Sequence, residues 1–150
     1  MKLRAPAGVV ALMAALMTSP AYGQQPAAAG RIKVASGSVF VVRGGAAAPA
    51  QAGQVVYEAD TLRTGADGRL GVTLNDDTRV SLGPGSELRL DRFAYAPAES
   101  QLALVLRVVR GVAAYVSGRI AKLAPDAIRL ETPSAIVGVR GTTVALRVTP

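Results

Sequence analysis

The 150 residues contain no histidine and no cysteine, which removes the usual general base, the thiolate nucleophile and the commonest transition-metal ligands. Nucleophilic catalysis is left with a Ser–Lys dyad, in which Ser81, Ser86, Ser117 or Ser134 would need Lys33 or Lys122 as its base. No spacing ties any of these serines to either lysine. Asp76 and Asp77 are the one adjacent acidic pair. On a strand they would face opposite ways, and in a turn they would cap backbone N–H groups. The calcium-loop pattern of alternating acids followed by glycine is absent. The chain is therefore expected to hold no catalytic residue, no metal and no cofactor.

Two other clusters invite a binding role. Arg140-Gly141-Thr142 sets a glycine between a bulky arginine and two threonines, which marks a bulge or a left-handed corner where any Cβ would clash. Arg140 would then reach a carboxylate or carbonyls of a neighbouring turn and hold that corner. The alternative is that Arg140 grips an anionic partner; the structural role is the expectation. Phe93 and Tyr95 share one face of DRFAYAP, where they either cover the end of the core or present a small partner contact.

The first 23 residues read as a secretory leader. Lys2 and Arg4 begin it, residues 5–17 are uncharged and mostly apolar, Ser19-Pro20 breaks the run, and Ala21-Tyr22-Gly23 offers small residues for cleavage. Spanning a bilayer takes roughly 20 apolar residues, more than this run supplies. The expected organisation is a signal peptide (1–23), a flexible lead-in (24–31) and one domain (32–150), periplasmic or secreted. Cleavage leaves 15 basic against 10 acidic side chains, 13 of the basic ones arginine, scattered singly along the chain. Nucleic-acid binders concentrate charge on one face, so no nucleic-acid partner is expected. A weak attraction to anionic envelope polymer is the surviving electrostatic reading. Without disulfides, stability must come from an apolar core, and the composition suffices for one domain.

The elements of that domain follow a period of two. Leu70, Val72 and Leu74 alternate with Arg69, Gly71 and Thr73; Val80 and Leu82 alternate with Arg79 and Ser81; Leu88 and Leu90 alternate with Glu87, Arg89 and Asp91. Each is a strand with one buried and one wet face. Residues 32–42 read as one or two strands broken at Gly37, and 44–54 (GGAAAPAQAGQ) as a flexible loop. Residues 102–109 read as a buried strand paired with 112–116, 118–124 as a short helical turn ended by Pro125, and 128–130 as a further strand. The near-constant spacing fits an all-β solenoid-like stack or a sandwich, with adjacent antiparallel hairpins as the alternative.

The run TPSAIVGVRGTT (132–143) before a last strand, 144–148, is similar to the signature that closes FecR-type domains, extracytoplasmic all-β modules of bacterial iron-uptake signalling. In order upstream stand DTLRTG (60–65), RLGVTL (69–74), an acidic turn Asn75-Asp76-Asp77-Thr78 where the family carries Asp-Gly-Ser or Asp-Gly-Thr, and Arg79–Leu82. The resemblance runs from about Arg31 to Val148. It implies a non-catalytic binding or sensing module in cell-envelope signalling. Such regulators also carry a cytoplasmic anti-sigma segment, a membrane helix and a receptor-docking region, none of which is recognisable in this sequence. The expectation is a stand-alone exported domain that meets an envelope protein through a sheet edge or the loops at 44–54 and 94–100. The competing expectation is attachment to wall polymer or lipopolysaccharide through an Arg-rich face.

Overall fold

The computed structural model describes residues 27–149, so the expected leader and its cleavage site lie outside the described residues. Twelve strands follow one another along them: β1 (Ala28–Ser36), β2 (Val39–Arg43), β3 (Ala46–Pro49), β4 (Val55–Tyr57), β5 (Thr61–Thr64), β6 (Arg69–Leu74), β7 (Arg79–Leu82), β8 (Glu87–Ala96), β9 (Gln101–Val116), β10 (Ile128–Glu131), β11 (Ile136–Gly138) and β12 (Thr143–Val148). A single short helix, α1 (Arg119–Leu123), sits between β9 and β10. The class is all-β.

The strands form one curled sheet in the order β3-β2-β5-β8-β9-β7-β6-β1-β4. Strand β9 is its spine. Its first part lies between β8 and the parallel strand β10, and its last six residues pair with β12, the final four of them also with β7 on the other side. The bend falls at Gly111, whose φ of +84° is open to glycine and strained for other residues. Ser86 and Thr64 staple the inside of this bend. The Ser86 hydroxyl accepts the Val112 N–H at 2.8 Å, and the Thr64 hydroxyl donates to the Gly83 carbonyl at 2.6 Å while accepting the Ser86 N–H at 2.9 Å. Both side chains are buried, and their polar atoms are satisfied in the way burial requires.

The curl closes over one apolar core, and the period of two supplies it. Leu70, Val72, Leu74, Val80, Leu82, Leu88 and Leu90 are all buried, while Arg69, Arg79 and Arg89 face water. The stacking itself is the antiparallel alternative, not a solenoid. β6 and β7 form a hairpin with Leu70 opposite Leu82 and Val72 opposite Val80, closed by a Leu74 N–H to Thr78 carbonyl bond of 2.8 Å. So tight a connection reverses the chain and forbids parallel stacking.

Four local expectations do not hold. Strand β1 starts at Ala28, inside the expected lead-in, because Ala29 is buried and the Asn75 N–H bonds to its carbonyl. Residues 44–54 are not all loop: Gly44 and Gly45, both at positive φ, turn the chain so that β3 pairs with β2. Residues 112–116 do not pair with 102–109 but continue the same strand through Gly111. The loop expected at 94–100 is shorter, since Ala94, Tyr95 and Ala96 pair with β9 as the end of β8 and only Pro97–Glu99 form a separate 3-10 turn.

Candidate functional site

Most family-like residues turn out to build the fold. Asp60, which opens DTLRTG, is buried and takes two bonds from the Arg43 guanidinium, Nε to Oδ1 at 2.8 Å and Nη2 to Oδ2 at 2.7 Å. The Tyr57 N–H donates to the same carboxylate at 2.9 Å. Asp76 in the acidic turn is likewise buried. Its carboxylate accepts the Thr78 N–H (3.1 Å), the Thr78 hydroxyl (2.7 Å) and the Ile120 N–H (3.2 Å), so it caps α1 as well as its own turn. Asp77 adopts φ +68°, which explains a glycine in the family pattern at this place. Tyr115 lies near this acid, and burial, reinforced by the Asp76 charge, pushes its phenol up to about 12.

Five of the scattered arginines form ion pairs, within and across strands, on the outer face of β5, β8, β9 and β10. Glu87 lies between Arg63 and Arg110, at 3.7 and 3.5 Å. Asp91 takes Arg89 at 3.0 Å and Arg107 at 3.1 Å, and Arg107 also reaches Glu131 at 3.1 Å. Such exposed pairs stabilise little individually, and they set three carboxylates against five arginines, so the charge of this face is partly compensated.

The Arg140-Gly141-Thr142 segment behaves differently. It links β11 to β12 and is exposed throughout. Gly141 does not occupy a left-handed corner: its φ lies outside that region, and a Cβ built on it would meet open space. Arg140 forms no ion pair and no side-chain hydrogen bond among the described residues, so it does not hold a corner. What ties the segment down is the Thr142 carbonyl, which accepts the Ser117 N–H at 2.8 Å and its hydroxyl at 3.3 Å. Between this segment and α1 runs an open groove of about 490 Å³ lined by Ser117, Lys122, Asp126, Val139, Arg140 and Thr142 among others. Lys122 is also exposed and forms no ion pair among the described residues. Two cations and two hydroxyls thus share one concave surface with a single carboxylate. That surface suits an anionic or hydrogen-bonding segment of a partner.

Phe93 and Tyr95 are half-buried on β8 and pack against the core, as the core-cover reading expects. The Tyr95 hydroxyl, and after it the Asp77 carboxylate, hold the Arg119 guanidinium above its ordinary value. Neither aromatic lines the groove. Lys122 and Ser117 entered the sequence reading only as members of a dyad; the fold brings them together with Arg140 through the Ser117–Thr142 bond. Nothing in the local sequence announces that meeting, because it joins two connections 25 residues apart.

No curated protein and no solved structure matches the chain. A family model described as FecR protein matches residues 60–150, from the buried Asp60 through the Arg140 groove to the last strand. The all-β fold, the ordered DTLRTG, RLGVTL and RVSL strands and this match agree, and the chain belongs to the FecR family.

Proposed function

We propose that this FecR-family domain is an exported, non-catalytic module that binds an envelope protein through the Arg140 groove. Family membership supplies the coarser part, a signalling-related domain of a generally non-enzymatic family. The observation that carries the finer part is the groove itself, which sets Arg140 and Lys122, both without an ion pair among the described residues, on one concave surface. A partner offering a carboxylate at the end of an extended segment would supply the missing counter-charge. The ion pairs weigh against attachment to anionic polymer through the outer face of β5, β8, β9 and β10, where Glu87, Asp91 and Glu131 already neutralise part of the charge.

Two experiments bear on this reading. Arg140→Ala and Gly141→Val should both melt within about 0.5 kcal/mol of wild type, as surface changes do. Arg140→Ala should nevertheless lose the protein that the wild-type chain captures from envelope extract, and capture should weaken as salt rises. A clear drop in melting temperature for Arg140→Ala, with capture retained, would return the motif to a structural role. For export, intact mass of the protein recovered from periplasm or medium should correspond to a chain starting at Gln24. Recovery in the membrane fraction with Met1 retained would contradict that part.

A further inference from the structure

Strand β12 presents a bare edge. It bonds β9 on one side and has no strand on the other among the described residues. The bond from the Ser117 N–H to the Thr142 carbonyl, with the register Thr143 opposite Val116, fixes which residues face β9. Because antiparallel bonding alternates, Val144, Leu146 and Val148 bond to β9. The N–H and C=O groups of Thr143, Ala145 and Arg147 therefore point outward. Natural edges are blunted by proline, lysine, bulges or short length. The edge strand β3 ends in Pro49, and β4 and β11 have three residues each. β12 has six, with no proline, no lysine and no register shift.

The geometry points to a second copy of this chain as the occupant of that edge, in an antiparallel β12–β12 pair centred on Leu146. In that register the outward-bonding residues meet each other, Ala145 opposite Arg147 of the twin. The half-buried residues meet as three apolar pairs, Val144 with Val148, Leu146 with Leu146 and Val148 with Val144. These are the non-hydrogen-bonded positions, where side chains approach most closely. The strand's one charge faces an alanine, so no like charges are opposed. The pairing joins the two curled sheets into one and covers apolar side chains that a single copy leaves half in water. Its small area makes it a reversible dimer. This inference does not depend on the Arg140 groove, none of whose lining residues belongs to β12.

Position 145 gives a test with opposite signs. Sedimentation equilibrium of the processed chain from about 1 μM to about 1 mM, the span where small interfaces associate, should show a monomer–dimer equilibrium. Ala145→Glu places a carboxylate opposite Arg147 twice per dimer and should tighten it about fivefold; Ala145→Lys should weaken it by a similar factor. Ala145→Pro removes an outward N–H without touching β9 and should abolish dimer, with melting checked separately. Amides of Thr143, Ala145 and Arg147 should exchange fast in dilute solution and slowly in concentrated solution. A chain that stays monomeric across the range, a dimer indifferent to both charge changes, or outward amides already protected in the monomer would each overturn the proposal. The last result would assign the edge to a segment of the same chain.

Discussion

Gly111→Ala is expected to lower the melting temperature by roughly 10–20 °C, the equivalent of about 2–5 kcal/mol in a domain of this size. Two costs combine at this position. Its φ of +84° is a conformation that side chains with a Cβ reach only with strain, about 1–3 kcal/mol. The new Cβ would also lie 2.5 Å from the Ser86 Cα and 2.7 Å from the Gly85 carbonyl oxygen, both backbone atoms that no rotamer change can move. Overpacking of this kind adds typically about 1–3 kcal/mol. Relief would push apart Ser86 and Val112, whose mutual hydrogen bond holds β9 bent. Gly85→Ala is the internal comparison: its φ is +61°, but its Cβ would meet nothing within 4 Å. It carries the strain without the collision and should cost less than half as much. Thermal melts of the two variants decide the point. If they melt together, the bend at Gly111 does not bear on stability as argued.

Gly111 also shows where sequence reading stops. The strands themselves were legible, since a period of two in Arg69–Leu74, Arg79–Leu82 and 87–90 is a direct consequence of pleating, and each inward residue is buried. A glycine after an apolar run reads as an end of strand. Here it lets β9 turn from one half of the sheet to the other without ending, and only the opposing Ser86 and Thr64 reveal that. Left-handed glycines of the kind that the Arg-Gly-Thr motif suggested do exist in this fold, Gly111 among them, but Gly141 is not one. Local sequence carries propensity for a turn; whether a Cβ would collide depends on a strand from elsewhere. The same holds for the groove, whose Ser117, Lys122 and Arg140 come from two separate connections.

The acidic residues were half legible. A structural turn at Asp76-Asp77 follows from composition alone, and Asp76 does cap N–H groups. That its carboxylate reaches 44 residues forward to the start of α1 does not follow. Gly118 shows how tightly the two are pressed together, since a Cβ there would sit 2.7 Å from the Asp77 carbonyl carbon. The charge ladder was legible as scatter and became pairing once β8, β9 and β10 were laid side by side.

The partnership of Arg43 and Asp60 was not legible, and it carries the second large effect. Arg43→Ala should cost about 3 kcal/mol, at the low end of the roughly 3–5 kcal/mol for breaking a fully buried pair, because the guanidinium is half-exposed. The Asp60 side chain is 2% exposed and the Arg43 side chain 48%. Removing the arginine leaves a carboxylate out of water with only the Tyr57 N–H for company. The arginine also stacks over the Tyr57 ring at 4.6 Å, so part of the loss is packing. Asp60→Ala should cost less, because the guanidinium it abandons can be rehydrated. Arg43→Lys keeps the charge but not the two-pronged geometry and should fall between Arg43→Ala and wild type. The double variant should lose about 1–3 kcal/mol less than the two single losses added, the coupling expected of groups in direct contact. Denaturant melts of the wild type, the two alanine variants and their combination measure it. Additive losses would mean that the pair is a bystander of the β2–β5 pairing and that Asp60 opens the family-matching segment for some other reason.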